Sequence, residues 1–298
     1  MNFEIERRRS EPTHIFSKKN ENNNLFFAEK LNQFSKYRLY PDCEKGISII
    51  SNYFKISNKN IFLGFGSENI LKNIFLTLEY DSIQLLQYSY EMAIHYNKVL
   101  CKNIIINPIS FKDGFNIENI ELLGGDVLYL VSPHSPTGIC FNIETILNLS
   151  KKFKYIIVDE AYVNPLIFNY PIVENIIFLR TFSKLGGVPG LRLGYAISSE
   201  SIISKLNCLR DSYEITINSL EYLEFIFKNK NLIYDNIEEL KKCYNLLKSK
   251  SNCFSIHSGN FATFNSDILD GKKYKIDGID FTRVTLTDVL NYENLYYR

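Results

Sequence analysis

The segment Thr181-Phe182-Ser183-Lys184-Leu185-Gly186-Gly187-Val188-Pro189-Gly190-Leu191-Arg192 sets one lysine between hydroxyl-bearing residues and a glycine-rich turn that ends on an arginine. An amine placed this way after an apolar strand can form a covalent adduct with an aldehyde while its neighbours grip an anionic group. Upstream, Tyr155-Ile156-Ile157-Val158-Asp159-Glu160-Ala161-Tyr162 brings a carboxylate to the mouth of another apolar strand. A carboxylate there is costly to desolvate unless it meets a cation, and a protonated pyridine nitrogen is one such partner. Read alone, Asp159-Glu160 serves equally well as a helix cap. Two more clusters occupy comparable places: the loop Ser132-Pro133-His134-Ser135-Pro136-Thr137-Gly138, and the turn Gly64-Phe65-Gly66-Ser67-Glu68. In the latter, free backbone N–H groups at a helix start make a phosphate cradle, although glycine before a helix also has purely steric uses.

These residues need elements to hold them. Short apolar runs at Ile61–Leu63, Ser82–Leu86, Asn103–Asn107, Val127–Val131, Tyr155–Val158, Ile176–Leu179 and Leu193–Ile197 read as strands, alternating with helical periods such as Glu68–Leu78. Ser67 is the expected N-cap of that helix. The alternation predicts an α/β fold with a mostly parallel sheet, in which ligands bind at the carboxyl ends of the strands. After Ser199, helices are expected at Ile202–Arg210, Leu220–Lys228 and Ile237–Lys248, with strands at Phe261–Phe264 and Phe281–Leu286. The expected division is an N-terminal segment (1–40), a large domain (41–205) and a smaller α+β domain (206–298).

The 298 residues carry 34 Lys+Arg against 33 Asp+Glu, a formal charge of +1, which leaves no excess to hold a nucleic acid through counterion release. The run Arg7-Arg8-Arg9 sits among Glu4, Glu6 and Glu11 and reads as a solvated arm. Six dispersed cysteines without a C-x-x-C pair read as reduced thiols rather than a metal site. A polar N-terminus and the lack of an apolar run of ~18 residues predict a cytoplasmic protein with no signal peptide or membrane span. His134 reads as a polar turn residue at least as readily as a base, and His95 and His257 as structural.

Taken in this order, the four clusters resemble fold-type I pyridoxal 5'-phosphate enzymes, specifically class I/II aminotransferases of the histidinol-phosphate aminotransferase-like group, over roughly residues 20–295. The resemblance implies that Lys184 forms the internal aldimine, Asp159 pairs with the pyridine nitrogen and Tyr162 hydrogen-bonds the ring's phenolic oxygen. It implies that Arg192, Thr181, Ser183 and the turn Gly66-Ser67-Glu68 hold the cofactor phosphate. Asn20-Glu21-Asn22 resembles the family's N-E-N segment, which puts Asn20 at the substrate entrance. Tyr37-Arg38-Leu39-Tyr40-Pro41-Asp42 resembles R-Y-P-D, which makes Tyr40 reach the phosphate of a neighbouring subunit and implies a homodimer with shared sites. Phe281-Thr282-Arg283-Val284-Thr285 resembles the strand whose arginine, here Arg283, binds the substrate carboxylate.

The sequence departs from the family at three places. Ser135 stands where the family usually has an asparagine that reaches the phenolic oxygen. Ala93 falls at the usual ring-stacking position, leaving Tyr90 or Tyr88 to cover the ring. Between Arg210 and Arg283 there is no arginine, so a second substrate cation would come from Lys272, Lys273 or Lys275, without the fork geometry. The implied activity is transamination by a ping-pong cycle on a small amino acid or amino-phosphate and a carbonyl acceptor. The alternatives are a decarboxylase of the threonine-phosphate type, or a cofactor-binding relative without turnover.

Overall fold

A computed structural model describes residues 40–111, 114–115, 122, 124–250, 254–265 and 271–286. In chain order the first elements are helix α1 (Cys43–Phe54), strand β1 (Ile61–Phe65), helix α2 (Gly66–Thr77), strand β2 (Ser82–Leu86), helix α3 (Glu91–Val99), and strands β3 (Asn103–Asn107) and β4 (Gly125–Val131). They are followed by helix α4 (Ile143–Leu149), strands β5 (Phe153–Asp159), β6 (Ile176–Thr181) and β7 (Leu193–Ile197), and helices α5 (Glu200–Cys208), α6 (Ile217–Lys228) and α7 (Asn231–Lys250). Strands β8 (Ser255–Ser258), β9 (Phe261–Phe264), β10 (Lys272–Ile276) and β11 (Ile279–Thr285) close the described chain.

The first seven strands form one sheet in the order β1-β7-β6-β5-β4-β2-β3, parallel except that β7 runs against both of its neighbours. Its inner strands are apolar on both faces because both faces are covered, whereas the edge strand β3 leaves Ile105 and Ile106 exposed. On β4, Val127, Tyr129 and Val131 pack with residues of α2, α3 and α5, whereas Leu128 and Leu130 pack with Ile146 and Leu149 of α4. The last four strands form an antiparallel sheet in the order β10-β11-β9-β8. Hairpin β10–β11 turns at Asp277-Gly278, both at positive φ (50° and 79°), as a tight two-residue turn requires.

The expected strands match closely, with small end shifts: the last begins at Ile279 and ends at Thr285. One expectation is overturned. Ser67 does not cap α2; the N-cap is Phe65, with no side-chain hydrogen bond, and the helix begins at Gly66. The chain leaves β1 directly into the helix, so Ser67 already lies inside its first turn. The elements that position the chemistry, β1, β4, β5 and β6, all end on the same edge of the sheet, beneath the antiparallel sheet.

Candidate active site

At that edge is a cavity of about 750 Å³. Lys184 lines it three residues past the end of β6, with Nζ 5.6 Å from the centroid of the Tyr162 ring. Tyr162 itself follows β5 and packs edge-on against Phe261 of β9, at 4.9 Å between centroids. Asp159, the last residue of β5, is buried yet borders the same space. Its Oδ2 accepts a 2.6 Å hydrogen bond from the Tyr129 hydroxyl, and its Oδ1 accepts one from the Ala161 amide at 3.1 Å. Burial pushes the Asp159 carboxyl above its ordinary value, while those two donors and the positive charge of Lys184 act the other way.

The anion cradle is built from backbone and an arginine. Gly66 has φ +79°, and a Cβ there would come 2.8 Å from Nη2 of Arg192. Gly194 on β7 lies equally close, because a Cβ would sit 2.6 Å from the Ser67 amide nitrogen. The glycines therefore let a guanidinium and the first amides of α2 meet with no side chain between them. Arg192, at φ +50°, also lies over Phe65 at 5.8 Å. Thr181 Oγ1 donates to Ser183 Oγ at 2.9 Å and accepts from the Ser183 amide at 3.1 Å, which orders the loop that carries Lys184.

Glu68 takes part through its side chain, accepting from the hydroxyls of Tyr90 and Tyr96, each at 3.1 Å. Burial, followed by the Glu68 charge, raises the Tyr90 phenol above its ordinary value. Tyr88, the other ring-covering candidate, also lines the cavity, but its hydroxyl is engaged by the hairpin: it donates to the Lys275 carbonyl at 2.6 Å, and its ring packs edge-on against Tyr274. Ala93 is fully buried on α3 among the core residues and does not line the cavity.

The β10–β11 hairpin forms the opposite wall. Arg283 Nη1 donates to Ser135 Oγ at 3.0 Å. Lys272 reaches Glu91 at 2.9 Å and Lys273 reaches Thr282 Oγ1 at 2.9 Å, and both lysines line the cavity. Lys275 instead faces Asp280 at 3.7 Å, outside the cavity. The hairpin is moored to the large sheet at its tip, where Asp277 Oδ2 accepts from the Ser110 hydroxyl and the Phe111 amide, both at 2.7 Å.

Two expected site residues lie apart from this cluster. Asn20 is outside the described residues. Tyr40 is half exposed and stacks on Tyr213 at 3.9 Å, away from the cavity of its own chain. Tyr129 and Glu91 went unread in the sequence. Tyr129 carries a faint signal, a hydroxyl-bearing residue within the run Val127–Val131. Glu91 carries none, because its partner lies 181 positions away. Among the described residues no cluster of His, Cys, Asp and Glu could hold a metal ion, and no helix is long and apolar enough to cross a membrane.

Residues 10–251 match the family model described as aminotransferase class I and II. The histidinol-phosphate aminotransferase of Caldanaerobacter subterraneus subsp. tengcongensis is 33% identical over 195 residues, covering 61% of this chain and 55% of that protein. Histidinol-phosphate aminotransferase 1 of Carboxydothermus hydrogenoformans is 28% identical over 255 residues, covering 77% and 72%. Against the first of these, the match thus spans little more than half of the relative's length. Among solved structures, the histidinol-phosphate aminotransferase from Clostridium acetobutylicum superposes with a TM-score of 0.69 at 20% identity, over 90% of this chain and 92% of that one. The Sinorhizobium meliloti histidinol-phosphate aminotransferase in complex with pyridoxal-5'-phosphate gives 0.66 at 17%, over 82% and 72%. L-threonine-O-3-phosphate decarboxylase from Porphyromonas gingivalis gives 0.68 at 15%, over 90% and 94%. At such identities the solved structures speak to the fold alone, a large mostly parallel sheet with a smaller antiparallel one. The family match covers most of the chain, and the protein belongs to the class I and II aminotransferases.

Proposed function

We propose that the protein is a pyridoxal-phosphate-dependent aminotransferase, moving an amino group from a small amino acid or amino-phosphate to a carbonyl acceptor. The observation that carries this reading is the convergence of Lys184, Asp159, Tyr162, Arg192 and Arg283 on one cavity from three separate stretches of chain. The donor set fits the cofactor: an anion cradle kept clear by Gly66 and Gly194, a buried carboxylate, and a lysine border the same space.

Bound there, the cofactor supplies a carbonyl carbon that amines can join and a heterocycle that draws electrons from the substrate's α-carbon. In this reading the Arg192 guanidinium, the Thr181 and Ser183 hydroxyls and the first amides of α2 hold the phosphate. Asp159, as a carboxylate, accepts the hydrogen bond of the ring nitrogen. Tyr162, and with it the Ser135 hydroxyl, would donate to the phenolic oxygen, and Tyr90 would cover the ring. Lys184 Nζ takes the proton from the substrate's α-carbon and returns one to complete the transfer. Arg283 grips the substrate carboxylate with its planar fork, its Nη1 steadied by Ser135. Asn20 and Tyr40 are assigned to the substrate entrance and to a neighbouring subunit's phosphate, in a homodimer. The two separate sheets support a division into a large domain (41–205) and a small domain (206–298), with the N-terminal segment (1–40) assigned to the small domain and the dimer.

The test is spectroscopic. Purified protein loaded with pyridoxal phosphate should change its absorbance with a suitable amino donor and release one keto acid per site. Lys184→Ala should still bind the cofactor while losing its covalent attachment and all turnover. Carbon dioxide release without a keto acid would replace transfer with decarboxylation, and a loaded protein unmoved by any amine would remove the enzymatic reading.

A further inference from the structure

Tyr129 sits in the middle of β4, opposite Ile157 of β5 and one diagonal step from Asp159, whose own partner in register is Val131. It is fully buried, packed edge-on against Phe75, and its hydroxyl donates at 2.6 Å to Oδ2 of a carboxylate that is itself buried. A phenol could be replaced by phenylalanine here at no loss of packing, so apolar burial does not account for the hydroxyl. A bare carboxylate at the end of β5 would be driven toward its neutral form by desolvation. Only two hydrogen-bond donors within the described protein offset that: the Ala161 amide, supplied by the backbone whatever the sequence, and the Tyr129 hydroxyl. The latter is the one donor to Asp159 that a side-chain choice controls.

We infer that Tyr129 is a positioning residue that acts through Asp159, its hydroxyl fixing the carboxylate and holding it in the ionised state that a protonated ring nitrogen requires. The inference rests on the assignment of Asp159 to the ring nitrogen. The phenol is suited to the task because burial, reinforced by the Asp159 charge, drives its own ionisation far above the ordinary value, so the shared proton stays on Tyr129. The other titratable groups around the pair are Lys184, Tyr90 and Tyr162, together with Glu160, which is engaged by Arg180 at 2.7 Å.

Without the hydroxyl, Asp159 binds a proton more tightly, and the proton between carboxylate and ring nitrogen moves toward the carboxylate. Tyr129→Phe keeps the ring and removes only that donor. With cofactor labelled with nitrogen-15 in the ring, the wild-type signal should be that of a protonated nitrogen, and the Tyr129→Phe signal should move toward the unprotonated position. Cofactor affinity measured on apoprotein should fall about tenfold in Tyr129→Phe. The same substitution in an Asp159→Asn background should change affinity little, because the charge it serves is already gone. An unchanged ring-nitrogen signal in Tyr129→Phe overturns the inference. Should that variant not fold, the carbon-13 signal of the Asp159 carboxyl in wild-type apoprotein, identified by its loss in Asp159→Asn, must report an ionised group from pH 6 to pH 8. A protonated group there overturns the inference. Failure of the functional reading would look different: wild-type apoprotein would take up no cofactor, and the carboxyl measurement would then decide alone.

Discussion

At the residue scale, burial sets the charge states around the cavity. His134, in the loop between β4 and α4, is fully buried, with Nδ1 2.9 Å from the Thr137 hydroxyl, and burial pushes its pKa down to about 4. It is therefore a neutral framework residue, in keeping with the turn reading rather than that of a base. The unfolded chain takes up this proton near pH 6.5 and the folded chain only near pH 4, so the stability tied to neutral His134 is present above pH 6.5 and drains as pH falls toward 4. Between pH 7 and pH 5 the loss should be about 2 kcal/mol. Denaturant unfolding of wild type and His134→Gln at both pH values checks it. The variant should be less stable at pH 7, but its decline should be shallower by that amount, and parallel declines would assign the pH dependence to other groups.

At the scale of elements, the β10–β11 hairpin turns an open sheet edge into a walled cavity. It contributes Lys272, Lys273, Tyr274 and Arg283 to the lining and is tied to the large sheet through Asp277, the Tyr88 hydroxyl and the Glu91–Lys272 pair. The Phe111 amide and the Ser110 hydroxyl hold the Asp277 carboxyl below its ordinary value of 3.8. That mooring is accordingly complete above pH 3.8 and is released only as pH falls below it, so it contributes nothing to pH dependence near neutrality. Asp277→Ala should loosen the hairpin, raising KM for the amino donor severalfold while kcat changes less. Amide hydrogen exchange over residues 272–285 should quicken in the same variant. Unchanged exchange would show that the aromatic contacts of Phe281 with Phe111 and Phe115 suffice to hold the hairpin.

At the scale of the whole molecule, the proposed homodimer with shared sites is tested at Tyr40. Tyr40 stacks on Tyr213 away from its own chain's cavity, as a residue serving a second subunit would. If sites are shared in this way, Lys184→Ala and Tyr40→Ala on opposite subunits of a mixed dimer fall in the same site and leave the other intact. Equal amounts of the two inactive homodimers, unfolded and refolded together, should regain about a quarter of wild-type activity, because half of the dimers are mixed and each has one native site. No recovery, with mixed dimers demonstrated by mass, would place Tyr40 outside the partner's site.

The sequence by itself determined the strands of the large sheet and the identity of most cavity residues. Apolar runs bounded by glycine, proline and polar residues leave few alternatives, and each reactive side chain sits within a few residues of a strand's end. It also carried an unread cue for β10: Lys272-Lys273-Tyr274-Lys275-Ile276 runs into Asp277-Gly278, with Tyr274 and Ile276 buried and the lysines exposed. What only the tertiary structure decided are the pairings between distant segments: Tyr129 with Asp159, Arg283 with Ser135, Glu91 with Lys272, and Tyr90 rather than Tyr88 beside Glu68. Local spacing places a side chain on its own strand or helix. Which groups share a desolvated space depends on sheet order and hairpin docking, because contacts across tens or hundreds of residues leave no mark in the spacing of either partner.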